Sequence, residues 1–237
     1  LRKLKEIAKV DIFREVRKDI PEIILAEGKS IIDLRKIVLQ ALKSQNRVVV
    51  SRISFEQARA LRSSLKIREL DVEFHGRAMV AVIRRYESQT IEKSGGKVGI
   101  IAAGTADIPI AEEAKIVAEE AGCQVLTAYD VGVAGIHRLF PVLKKMIEEK
   151  VDVLIVAAGM EGALPSVVSG LVNMPVIGLP TSTGYGFAGK GLGALITMLQ
   201  TCSPGLSVVN IDNGVGAGAT AAMIANRAVS KKYEKHS

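Results

Sequence analysis

Few side chains in this 237-residue chain could serve as nucleophiles or soft ligands: two cysteines, Cys123 and Cys202, and three histidines, His75, His137 and His236. A thiolate attacks electron-poor carbon, and an imidazole moves protons near neutral pH. Their spacing limits what they can do together. Neither the cysteines nor the histidines form a zinc constellation of usual spacing, and no Gly-x-Ser-x-Gly elbow offers a serine nucleophile. Cys123 follows Gly122, which ends a helical pattern, and it opens an apolar run, the place of a small buried hydrophobe. Cys202 lies where the helical pattern Leu192 to Thr201 gives way to Ser203-Pro204-Gly205, a position that leaves both a reactive and a structural role open.

The other chemistry on offer is anion binding by backbone. Ala102-Ala103-Gly104 and Ala157-Ala158-Gly159 occupy equivalent places in successive strand-loop-helix units, each followed by a proline, Pro109 or Pro165, at the mouth of a helix. Glycine lets N–H groups approach a phosphate, and the helix that follows adds the favourable end of its dipole. A single such turn is explained by packing alone; four glycine-rich loops on one sheet edge are not. Gly184-Tyr185-Gly186-Phe187-Ala188-Gly189 mimics a dinucleotide fingerprint, but Thr181, Ser182 and Thr183 separate it from its strand and that strand comes late in the order. The same stretch mimics a P-loop until Gly191 stands where a magnesium-binding hydroxyl belongs. What remains is a glycine-rich lid over an anionic ligand.

These loops need elements to position them. From Gly95 onward the chain repeats strand, loop and helix: strands at Val98 to Ala103, Gln124 to Ala128, Val151 to Ala157, Val176 to Leu179 and Ser207 to Ile211; helices at Ile110 to Ala121 and Gly135 to Glu149 and a short one after Pro165; and a last loop from Asp212 to Gly218. Near-continuous apolar strands predict an α/β fold with a doubly wound parallel sheet and ligands at the carboxyl ends of the strands. Residues 1 to 94 read as a separate, small basic α/β module, with helices at Ile31 to Gln45 and Ser54 to Ser64 and strands at Arg47 to Ser51 and Ala78 to Ile83. Its first 20 residues, with Phe13, Arg14, Val16 and Arg17, read as a solvated helix packing one face. The module carries 21 Lys and Arg against 13 Asp and Glu, whereas residues 95 to 237 carry 11 against 12, so the net +7 belongs to the module. The basic charge raises nucleic acid as a partner, but aromatics at 4% supply few stacking platforms. No apolar run reaches the ~18 residues of a membrane helix, and two cysteines without a disulfide framework point to a reducing, cytoplasmic compartment.

Taken together, Gly104 to Pro109, Tyr129 to Arg138, Ala158 to Pro165, Pro180 to Gly186 and Asn210 to Gly218 resemble the LarB family, the pyridinium-3,5-biscarboxylic acid mononucleotide synthases of nickel-pincer nucleotide biosynthesis. The likeness runs through residues 97 to 228, and Pro21-Glu22 with Gly28-Lys29 resembles the family's amino-terminal region. A more distant likeness is to the PurE carboxylases and mutases of aminoimidazole ribonucleotide, which implies a PurE-like, flavodoxin-like three-layer fold. The resemblance implies nicotinic acid adenine dinucleotide as substrate, carboxylation of its pyridinium ring at C5 and release of AMP. It implies CO₂ or bicarbonate as co-substrate, no tightly bound cofactor and a large homo-oligomer. An electron-poor ring cannot attack CO₂ until a thiolate adds beside C5, which points to Cys202 as nucleophile. Glu161, His137, Asp130 and Asp107 are titratable groups of these motifs, and Glu161 or His137 is the preferred acceptor of the C5 proton. Gly104, Thr105, Asp107, Gly159, Met160, Thr181, Ser182, Gly184, Asn213 and Gly214 are assigned to substrate. Asp212 is also assigned there, as a possible helper of Mg²⁺ at the phosphoanhydride.

Overall fold

Leu70, Val72 and Phe74 alternate with Asp71, Glu73 and His75, the period of a strand with one wet face. In the computed structural model, which describes residues 2–4, 8–10, 20–65, 70–86, 91–187 and 189–234, that segment is one edge of a four-stranded mixed sheet. The chain divides into two units, Leu1–Glu92 and Lys93–Ser237. The first unit holds a short antiparallel pair, β1 (Arg2–Leu4) and β2 (Ala8–Val10), then β3 (Glu22–Leu25), α1 (Ile31–Ala41), β4 (Arg47–Ser51), α2 (Phe55–Leu65), β5 (Leu70–His75) and β6 (Val80–Arg85). Sheet order is β3-β4-β6-β5. Leu34, Val38, Leu61 and Leu65 of the helices close over Val48, Val50, Ala81 and Ile83.

Local chemistry sets the ends of these helices. Ser30 Oγ accepts from Asp33 N–H, and Ser54 and Gln57 form a reciprocal capping box, each backbone N–H donating to the other's side chain. The helix expected to reach Gln45 ends at Ala41 because Gln45 leaves it to accept a hydrogen bond from Glu22 N–H on β3 at 2.9 Å. The strand expected from Ala78 starts at Val80, after a turn through Met79 at φ +52°. The amino-terminal helix does not form where the chain is described, since β1 and β2 are strands; Phe13, Arg14, Val16 and Arg17 lie outside the described residues.

The second unit is β7 (Lys97–Ala102), α3 (Ile108–Glu120), β8 (Gln124–Ala128), α4 (Leu139–Glu148), β9 (Val153–Ala158), α5 (Leu164–Ser169), β10 (Val176–Pro180), α6 (Leu192–Leu199), β11 (Leu206–Val208) and α7 (Gly214–Glu234). All five strands are parallel in the order β11-β10-β9-β7-β8. Every residue of β9 and β10 is buried. Helices α4, α5 and α6 cover one face, with Leu139, Leu143, Met146, Leu164 and Met198 over Leu154 and Val156; α3 and α7 lie together on the other. This is the doubly wound, flavodoxin-like arrangement, whose strand order reverses direction between β7 and β9.

Two boundaries differ from the sequence pattern. The helix expected from Gly135 is a 3₁₀ segment, Val133–Arg138, broken at Gly135 (φ −127°, ψ 54°), before α4 begins. The last strand ends at Val208, and Gly214 to Gly218 is not loop but the first turns of α7. Asn213 Oδ1 starts that helix by accepting from Gly216 N–H at 2.8 Å. A Cβ on Gly214 would lie 2.6 Å from Ile110 O, and one on Gly218 2.4 Å from Ala114 O, so these glycines let α7 lie against the backbone of α3.

Candidate functional site

At a strand-order reversal the loops leaving neighbouring strands turn to opposite faces of the sheet and leave a crevice between them. Here the loops after β7 and β9 part at the carboxyl edge and bound a cavity of about 380 Å³. Its wall comprises Gly104, Thr105 and Asp107 after β7, Asp130 after β8, Gly159, Met160 and Glu161 after β9, and Thr183 after β10. The mostly apolar, small-residue lining suits a flat ring, with a few carboxylates and loop N–H groups to orient it.

A buried carboxylate ties the wall together. Asp107, 4% exposed, accepts from Gly104 N–H at 2.8 Å and from the fully buried Thr181 hydroxyl at 2.6 Å, joining the loops after β7 and β10. Met160, at φ +49°, donates its N–H to Thr183 O at 3.0 Å, which joins the loops after β9 and β10. Gly159 must be glycine in this arrangement, since a Cβ would lie 2.2 Å from Thr183 O.

Charged groups gather on the β8 side. Asp130, at φ +60°, accepts from Arg138 Nη1 at 2.6 Å, and the guanidinium folds back over Gly135. Arg138 was not among the residues expected to act. Its signal was its place in the Tyr129 to Arg138 motif, and its guanidinium is paired with Asp130 beside the cavity. Tyr129 donates its hydroxyl to Glu112 on α3, and burial, together with that carboxylate, pushes the phenol above its usual range. Glu161 is exposed at the cavity wall, and no partner is found for its carboxylate among the described residues.

The cavity therefore gathers Gly104, Thr105, Asp107, Asp130, Gly159, Met160 and Glu161, and it leaves other expected residues elsewhere. His137 is exposed in the last turn of the 3₁₀ segment, outside the lining. Thr181 lies behind the wall as the partner of Asp107. Gly184 sits on Met160, its Cβ position 3.1 Å from Met160 N. Ser182 donates its backbone N–H to Asp212 Oδ1 at 2.8 Å, so Asp212 braces the loop after β10. Asn213 caps α7 and Gly214 packs on α3, positions that serve the fold and not the lining. Among the described residues no three His, Cys, Asp or Glu side chains converge as a metal site.

Cys202 is placed away from the cavity. It is free and exposed, but it lies between α6 and β11. Because β11 runs parallel to β10, with Leu206 opposite Val176, that junction is at the amino edge of the sheet, across its length from the cavity. Gly205 O accepts from Val176 N–H there. Cys123 behaves as expected of a buried hydrophobe: its thiol donates to Asn226 Oδ1 at 3.2 Å, and burial pushes it up to about 11.

A parallel three-layer α/β unit with its cavity at the strand-order reversal is an arrangement that binds small molecules, and comparison with known proteins is more specific. The AIR carboxylase family matches residues 97–237, and the LarB/PurE-like N-terminal domain matches residues 2–85. An uncharacterised protein of Methanocaldococcus jannaschii is 46% identical over 227 residues, covering 94% of this chain and 85% of the relative. The N5-carboxyaminoimidazole ribonucleotide mutase of Thermotoga maritima is 32% identical over 135 residues, 54% of this chain and 74% of the mutase. Among solved structures, a Treponema denticola PurE2 variant aligns at 20% identity and TM-score 0.46, over 60% of this chain and 91% of that one. The chain belongs to the AIR carboxylase family, a family of carboxylase and mutase enzymes. No helix among the described residues is long and apolar enough to cross a membrane.

Proposed function

We propose that the chain carboxylates the pyridinium ring of nicotinic acid adenine dinucleotide at C5 and cleaves its phosphoanhydride, giving AMP and pyridinium-3,5-biscarboxylic acid mononucleotide for the nickel-pincer cofactor. The observation that carries this reading over a mutase is the amino-terminal match. The mutases resemble only 54–58% of the chain, whereas residues 2–85 match the LarB/PurE-like N-terminal domain. The cysteine inventory supports it too, since Cys202 is an exposed free thiol and Cys123 is buried and held protonated.

In this reading the Cys202 thiolate bonds to C4 or C6 of the cationic ring, whose π electrons move to make C5 an enamine carbon. C5 then bonds to CO₂, its proton passes to a base, and the C–S bond breaks to return the thiolate and an aromatic ring. Glu161, on the cavity wall, is the favoured base; His137 is not in the lining and Asp130 is held by Arg138. The N–H groups of the loops at Gly104 and Gly159 hold phosphate and carboxylate. Asp212 has no second and third His, Cys, Asp or Glu beside it among the described residues to complete a divalent-ion site, and no step is assigned to a metal. Bicarbonate or CO₂ is the co-substrate, with no tightly bound cofactor.

Within one chain the thiol and the cavity lie at opposite sheet edges, so the reading requires a homo-oligomer in which one copy's Cys202 meets another's cavity. The exposed Leu192, Ile196 and Leu199 on α6, the helix that leads to Cys202, give such a contact an apolar surface. The test is incubation with nicotinic acid adenine dinucleotide and labelled bicarbonate, followed by mass spectrometry. AMP and a labelled, doubly carboxylated mononucleotide are expected from the unaltered protein, and neither from Cys202→Ala. Carboxylation that survives Cys202→Ala defeats the mechanism; turnover of a carboxyaminoimidazole ribonucleotide without the thiol establishes the mutase instead.

A further inference from the structure

The segment after β10 presents Tyr185 and Phe187 to solvent at 83% and 110% of full exposure. That is a poor use of two large rings in a chain with 4% aromatic residues and no tryptophan. The base of the segment is fixed to the cavity. Thr183 lines it and accepts from Met160 N–H, and Gly184, at φ +133°, lies on Met160. Beyond this anchor the chain faces open space at Gly186, which is at φ +86° with nothing within 4 Å of its Cβ position. At about 3.3–3.6 Å per residue, Tyr185 and Phe187 lie no more than about 11 Å along the chain from Gly184.

The size of the cavity bears on what those rings are for. At about 380 Å³ it is near the low end of the ~300–1,000 Å³ that encloses one drug-sized ligand. In the dinucleotide reading given above it is filled by the pyridinium riboside phosphate, and the second nucleotide then lies outside, across the rim. A purine there needs an aromatic face, and base–aromatic stacking is strong without demanding hydrogen-bond geometry. The exposed Lys190 lies on the same segment as a cation for the bridging phosphates.

We infer that Tyr185 and Phe187 form an adenine-stacking platform at the cavity rim, which binds the AMP half of the dinucleotide while the pyridinium half occupies the cavity. The inference rests on the dinucleotide reading given above. Its test uses AMP alone as the probe, by calorimetry on the full chain, with nicotinic acid mononucleotide as the probe for the cavity. Tyr185→Ala and Phe187→Ala are each expected to weaken AMP binding about tenfold and the double variant to lose it. Tyr185→Phe keeps AMP affinity, and all variants keep their affinity for the mononucleotide. AMP binding that is absent from the unaltered protein, or indifferent to the double substitution, overturns the platform. So does a parallel fall in both affinities, and so does a change confined to the assembly state in sedimentation, which would mean that a second copy covers the rings. If AMP binds as expected but the dinucleotide is not carboxylated, the platform stands and the proposed reaction falls.

Discussion

Replacing Asp107 separates a carboxylate that holds the site from one that reacts. Its two oxygens accept from Gly104 N–H and Thr181 Oγ–H at 2.8 and 2.6 Å, and both Asp107 and Thr181 are buried. Hydrogen bonds to an ionised group contribute about 1.5–3 kcal/mol each. Asp107→Ala removes two of them and strands a buried hydroxyl, but it also removes the cost of burying a charge. The net loss comes to about 3 kcal/mol, or a fall of about 6–12 °C in the melting temperature for a unit of this size. Asp107→Asn differs. Its amide oxygen keeps the bond from Gly104, and its amide N–H donates to Thr181 Oγ once that hydroxyl rotates, so the loss is about 1 kcal/mol. Thermal unfolding and turnover are measured side by side. Turnover should stay within several-fold for Asn and fall at least about 100-fold for Ala, in step with stability. An Asn variant of unchanged melting temperature and no turnover would refute the positioning role and put the carboxylate in the chemistry.

Gly159→Ala sets a Cβ 2.2 Å from Thr183 O, so the loops must part and the bond from Met160 N–H to Thr183 O is lost. The same Cβ would lie 2.8 Å from the buried Thr181 Oγ, so mononucleotide affinity should fall at least tenfold and the unfolding temperature should fall with it, by several degrees, read by calorimetry and thermal shift. Cys123 titrates at about 11 when folded against 9.0 for a free thiol because burial disfavours the thiolate. Its contribution is therefore complete below pH 9 and lost as pH rises toward 11. Urea titrations should show stability falling over that window by on the order of 1 kcal/mol more in the unaltered protein than in Cys123→Ala.

Much of the second unit is legible because its strands announce themselves. Val98 to Ala103, Val151 to Ala157 and Val176 to Leu179 read as buried strands within two residues of β7, β9 and β10, since strands covered on both faces leave no polar positions. Glycine is a more ambiguous signal. Gly214 and Gly218 suggested a loop, yet their four-residue spacing puts both on one face of α7, where each lets the backbone of α3 approach. In the first unit β5 carries a plain two-residue alternation. The strand β3 is only four residues long, too short for a period to show.

The division of the expected site residues between two sheet edges follows from the topology and sets one more test. In a parallel sheet every loop that follows a strand is on the carboxyl edge and every loop that follows a helix is on the amino edge. Glu161 follows β9; Cys202 follows α6. Their separation is therefore legible in the order of the elements along the chain, whereas the chemistry demands that a thiol and a base meet at one ring. If one reaction uses both, each active site takes Cys202 from one copy and Glu161 from another. Cys202→Ala and Glu161→Gln chains are then each inactive alone, yet a mixed assembly contains sites that draw an intact thiol from one variant and an intact carboxylate from the other. Random exchange gives both to about a quarter of the sites, so mixing after mild dissociation and reassembly should restore about a quarter of the unaltered turnover. A single-chain site cannot be complemented in this way, because every chain lacks one group. Restored activity, measured as labelled product per site, supports the shared site. Its complete absence in assemblies shown by mass to be mixed means that the two residues do not serve one reaction across copies.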